Sequence, residues 1–130
     1  MEKTSPISFI NNRAVTGRED KFEIVDVFVL PVLASWKSSL FAHEWLNAEG
    51  KPKEISALSE TAQEKRKNVE EALEKGAALE RPVLGLGILD NLEIGAGKDV
   101  FLTLAARGVE VVSTHIPKSH LNEFKVFIKS

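Results

Sequence analysis

Two short apolar runs limit what this chain can become. Phe22 to Leu30 reads FEIVDVFVL, and Val83 to Leu89 reads VLGLGIL. Both are rich in branched aliphatic residues, and neither carries the 3.6-residue spacing of an amphipathic helix. Runs of this kind, apolar on both alternating faces, predict strands inside a sheet. The first is expected to be buried on two sides, or on one side plus a subunit contact, with Pro31 ending its ladder pairing. In the second, Gly85 and Gly87 share one face while Leu84, Leu86 and Ile88 share the other. Paired glycines mark close approach by another backbone or a ligand, most often a tightly packed helix. Val27 to Ala34, the longest apolar stretch, is too short to cross a bilayer and contains Pro31.

Helical patterns fill much of the remainder. Val32–Asn47 is expected to be a helix with Leu33, Trp36, Leu40 and Asn47 on one face. Phe41 and Trp45 fall off that face and are assigned to a subunit interface. Ala48–Ser56 reads as a loop. A second helix starts near Ser59 and runs to Lys75 or Ala78, with Thr61 and Glu64 resembling a capping box. Its apolar stripe, Ala62, Val69, Ala72 and Leu73, is thin, so most of its surface faces solvent. Asp90–Gly97 is expected to be a loop, Lys98–Arg107 a helix stopped by Gly108, and Val109–Thr114 a third strand. Strand, helix and strand in that order predict a right-handed βαβ unit with parallel strands. Ser8–Ile10 is expected as a short edge strand, and residues 119–129 as helix followed by strand. The predicted architecture is a single α+β domain over residues 1–130, with residues 1–6 frayed. It has a mixed sheet of four to five strands containing one βαβ unit, and three to four helices.

Composition narrows the function classes. A chain of 130 residues with 43% hydrophobic and 28% charged residues is an ordinary globular domain. Without cysteine there is no disulfide framework and no thiolate metal site, and a cytoplasmic location is expected. Seventeen basic residues against nineteen acidic ones give a net charge of −2, which argues against nucleic acid as a partner. The one dense basic cluster, Lys65-Arg66-Lys67, sits in a glutamate-rich helix and reads as a solvated face. A membrane partner is not expected either.

No complete catalytic motif is present. Gly95-Ala96-Gly97-Lys98-Asp99 resembles a phosphate turn, yet Leu92 stands where a P-loop needs its first glycine and Asp99 where it needs a hydroxyl. The dinucleotide fingerprint fails at Val100. What survives is a glycine turn whose backbone amides face an anion at a helix start, or simply a turn with Asp99 complementing the helix dipole. His43-Glu44 begins a zinc-helix pattern that Asn47 ends. His115 and His120 flank Pro117 and read as surface histidines rather than metal ligands. Asp26, set among apolar neighbours, must find donors or face water. No metal or cofactor is expected.

The candidate ligand site is the rim beyond the strand carboxyl ends, where open α/β sheets bind ligands. It comprises Asp90, Asn91, Glu93, Gly95, Gly97, Lys98 and His115, suited to a small anionic or polar ligand. Asp90, Glu93 and His115 are expected to converge there as an acid–base group. Against this stands a non-enzymatic interaction module, a homodimer joined through Phe41 and Trp45. That reading ranks first because a missing catalytic motif is what a non-enzyme would show.

Overall fold

The computed structural model describes residues 7–39, 41–87 and 91–129; the expected fraying of residues 1–6 lies outside them. The described chain contains β1 (Phe9–Ile10), β2 (Phe22–Phe28), α1 (Val29–Trp36), α2 (Glu60–Glu74), β3 (Leu79–Glu80), β4 (Leu84–Leu86), β5 (Leu92–Ile94), α3 (Lys98–Ala106), β6 (Val111–Pro117) and α4 (Leu121–Phe124). It is a small α+β domain.

The described strands form three two-stranded ribbons. The longest is antiparallel β2–β6, running from Phe22 opposite Pro117 to Phe28 opposite Val111. β4 and β5 make an antiparallel hairpin with Gly85 facing Glu93, and β1 lies parallel to β3. A single parallel bridge from Val83 to His115 joins β6 to the extended run 79–86, with the His115 amide donating to the Pro82 carbonyl at 2.9 Å. On its other side that run gives the amides of Leu79 and Arg81 to the carbonyls of Ser8 and Ile10, then exchanges bonds through Val83 with Gly95 and Ala96. Residues 90–97, expected as a loop, therefore include β5. The path from β4 to β6 passes through this hairpin strand as well as α3, and among the described residues the parallel neighbours of the expected βαβ unit share one bridge, Val83 with His115.

Pro31 corrects the first strand boundary. β2 stops at Phe28 and α1 begins at once, placing Pro31 third in the helix. First-turn residues have no intrahelical acceptor for their amides, so a proline there costs no hydrogen bond and its fixed φ suits the helix. The strand is also one-sided. Val27 is fully buried and Val25 half-buried, whereas Ile24, Asp26 and Phe28 on the opposite face are exposed. Asp26 thus meets water, and its carbonyl accepts the Lys129 amide at 2.8 Å beside the Val27–Ile128 bridge. The tail runs from helix into that single bridge. Leu86 is half-buried, and Ile88 lies outside the described residues.

The helix expected over 32–47 is two structures. α1 ends at Trp36, and a short 3₁₀ turn over Ala42–Glu44 leads to a bridge between Leu46 and Pro52. The break redirects the aromatics. Trp45, expected at a subunit interface, is 6% exposed inside the chain's own core, while Phe41 is 55% exposed. α2 is capped by Ser59, whose hydroxyl accepts the Ala62 amide at 3.2 Å, so Thr61 lies inside the helix and forms no capping box. Ala62 and Val69 are its buried residues, and it packs on α3. Glu70 of α2 pairs with Arg66 and, at 3.9 Å, with Arg107 beyond α3.

One core unites these elements. Val27, Val112 and Ile116 from the β2–β6 ribbon meet Val32 and Trp36 of α1, Phe101 and Leu104 of α3, and Phe124 of α4. Complete burial of such side chains contributes about 1.5–3 kcal/mol each relative to exposure.

Candidate functional site

Of the rim residues named from the sequence, Asn91 and Glu93 belong to one hydrogen-bonded cluster and His115 to another. The first surrounds Glu93, which β5 presents toward the end of α1. Its Oε1 accepts the Trp36 indole N–H at 3.2 Å and the Ser39 hydroxyl at 2.8 Å, and its Oε2 accepts the Asn91 amide at 3.0 Å. Ser35 supports the hairpin by accepting the Leu92 amide. Gly87 faces this carboxylate so closely that a β-carbon would stand 2.9 Å from both Asn91 Oδ1 and Glu93 Cγ. The close approach foreseen for the glycine pair is thus made by side chains of the same hairpin, not by a packed helix. Gly85 has open space beside it. Lys98, first residue of α3, holds its ammonium 5.8 Å from the Trp36 ring centre and 5.3 Å from that of Phe41. Cation–π attraction of this kind ties the exposed Phe41 turn to the helix start.

The second cluster surrounds His115, which is 2% exposed. Its Nε2 accepts the Asn12 backbone amide at 3.0 Å, which makes the ring neutral with its proton on Nδ1. Asn12 is buried and fully engaged: its side-chain carbonyl accepts the Ala14 amide, and its side-chain amide donates to the Arg81 carbonyl. Arg81 donates to the Ser113 hydroxyl and to Asn11 Oδ1, both at 2.8 Å. Phe22 meets the imidazole edge-on at 6.3 Å. Burial and the nearby Arg81 guanidinium hold the His115 pKa below its usual 6.5. Gly97 belongs here, packed against Pro82 and the Asn12 side chain.

Asn91, Glu93 and Lys98 are therefore gathered around Trp36, whereas Gly97 and His115 are gathered around Asn12. Glu93 and His115 share no hydrogen-bond partner among the described residues. Gly95 is exposed and spends its amide on the Val83 carbonyl. Asp90 lies outside the described residues. Among those described, no group of three histidine or carboxylate side chains could hold a metal ion.

A further concavity among the described residues lies elsewhere. A groove of about 730 Å³ lies between the start of α1, the loop 49–52 and the end of α3. Phe28, Leu30, Pro31, Ala34, Pro52 and Val109 make its walls mainly apolar, and Lys37, Lys51, Glu49 and Glu110 supply its charges. Leu30 is 77% exposed beside it. Leu30, expected inside a buried strand, lies instead in the first turn of α1, and the groove follows from that displacement. The signal was Pro31, which with Phe28–Leu30 also fits a strand handing over to a helix. No helix among the described residues is long and apolar enough to cross a membrane. The chain matches no family model, and comparison with curated proteins and with solved structures finds no match to either.

Proposed function

We propose that this chain is a non-enzymatic interaction module that pairs with a second copy of itself through the groove beside Leu30. The observation that carries the reading is Leu30 itself, a large aliphatic side chain 77% exposed at the edge of a mainly apolar groove of about 730 Å³. Exposed apolar patches of this kind mark interaction sites on soluble domains. A two-fold contact needs one surface that complements itself. Here a single face offers both a protruding side chain and a groove, together with lysines and glutamates in balance. Exposed Ile24 and Phe28 add to the apolar surface of the same β2–α1 segment. Phe41, which is exposed, remains available for such a contact, while the buried Trp45 does not.

A polar-ligand site at the Glu93 rim is the weaker reading, because its carboxylate oxygens already accept hydrogen bonds from Trp36, Ser39 and Asn91. A cytoplasmic setting belongs to the same proposal, since a cysteine-free domain needs no oxidising compartment. Analytical ultracentrifugation tests the pairing. The wild-type chain is expected to sediment as a dimer at micromolar concentration, and Leu30→Asp as a 14.3 kDa monomer. An exposed position tolerates the aspartate, so the variant's unfolding midpoint at nanomolar concentration should match the wild type. A monomeric wild-type species would refute the proposal.

A further inference from the structure

We propose that His115 is the pin of an acid-released latch: protonation of its ring frees the segment 8–15, including β1, from the strand run 79–83. A neutral ring has one accepting nitrogen, and a charged ring has none. In this structure the accepting nitrogen is Nε2, and it takes the backbone amide of Asn12 across 103 residues of chain. Protonation places two N–H groups against each other at the present 3.0 Å separation, so the contact must open.

The surroundings make the charged form costly in place. His115 is almost fully buried, and the cation acting on it is Arg81, whose guanidinium is fixed by Ser113 and Asn11. Other charged groups near the latch come from each packed element. Arg13 of the segment pairs with Glu80 of β3 at 3.1 Å, and Arg18 lies 5.5 Å over the Phe22 ring that meets the imidazole. Glu23 on β2 is exposed, and Lys118 and His120 follow β6. No carboxylate hydrogen-bonds His115 among the described residues, so nothing there rewards its protonation.

Away from His115, the segment is held by the buried Val15, the Arg13–Glu80 pair and the Arg81–Asn11 hydrogen bond, together with β1 and Asn12. β1 spans only Phe9 and Ile10, paired with Leu79 and Glu80. Asn12 caps the turn that follows, donates to the Arg81 carbonyl and donates its amide to His115. Asn12 therefore joins the segment both to the strand run and to β6, and His115 is its titratable partner. Neutral His115 keeps the segment docked, and an acidic solution releases it while the β2–β6 ribbon stays paired.

Hydrogen exchange on the full chain, corrected for intrinsic rates and followed beside an NMR titration of the His115 ring, tests this. As pH falls from 6.5 toward the lowered pKa of the docked ring, protection of the Asn12 and Ala14 amides is expected to fall by up to about tenfold per pH unit, because opening takes up one proton in that window. The amides of Val27 and Leu104 should keep their protection over the same range. In His115→Gln, whose side-chain carbonyl accepts from Asn12 but does not titrate, the pH dependence should vanish. Unchanged Asn12 protection through the His115 titration would overturn the latch, and so would simultaneous loss of protection in the core. Should His115→Gln fail to fold, the wild-type comparison of Asn12 with Val27 decides between the same outcomes.

Discussion

Gly97 has a left-handed backbone, φ +84°, in a place without room for a side chain. A β-carbon there would stand 2.8 Å from Pro82 Cα and 3.3 Å from the Asn12 side-chain nitrogen. Left-handed backbone alone costs an L-residue roughly 1–2 kcal/mol, and the contact with Pro82 is with backbone that cannot swing away. Gly97→Ala is therefore expected to destabilise the domain by more than Gly17→Ala, which has a similar φ of +83° and nothing within 4 Å. Urea denaturation of the two variants measures the difference, and equal losses would mean that Pro82 yields. At this scale the sequence was partly legible. The glycine pair at 85 and 87 announced a close approach, but not which groups made it, because the Asn91 and Glu93 side chains reach Gly87 only through hairpin pairing. Trp45 was misplaced for a similar reason: the direction of its side chain depends on a helix break that no single residue declares.

Helix α2 shows which element signals were readable. Its length, its thin stripe and its start near Ser59 all follow from local spacing, yet the cap was assigned to the wrong hydroxyl. Ser59 holds extended backbone, with φ −62° and ψ 162°, and accepts the Ala62 amide, while Thr61 already lies in the helix. Ser59→Ala is expected to cost about 1 kcal/mol, the usual loss of an N-cap acceptor. Thr61→Ala should cost nothing or stabilise slightly, since alanine is the better helix former. Thermal unfolding of both variants separates the two hydroxyls. β5 escaped notice because Leu92, Glu93 and Ile94 are too few residues to establish an alternating pattern. The helix expected over 32–47 failed for the opposite reason. Its apolar residues were numerous enough to suggest a period, but the turn after Trp36 restarts the register.

The whole domain should also respond to acid with a definite sign. His115 has a lowered pKa in the folded chain, so below 6.5 the unfolded chain binds more protons than the folded one. Its contribution is complete above pH 6.5 and is lost as pH falls from there toward the folded-state pKa. Global stability measured by urea titration should therefore drop across that window and drop less in His115→Gln. Opening of the segment 8–15 limits the loss, because a ring that has escaped burial no longer resists its proton. The α+β class was legible at this scale, whereas the hydrogen-bond partners of the rim residues were not. The sequence placed Glu93 and His115 at one rim, but their partners, Trp36, Ser39 and Asn12, come from distant segments. The longest ribbon carries a further consequence, for synthesis. Thr114 reaches the Val25 carbonyl across 89 residues, and among the described strands only the β4–β5 hairpin pairs near neighbours in sequence. At about 5–20 residues per second, a nascent chain holds β2 without its partner for several seconds. During that interval Ile24, Val25, Val27 and Phe28 stay unpaired, so the longest ribbon of the fold closes only late in synthesis.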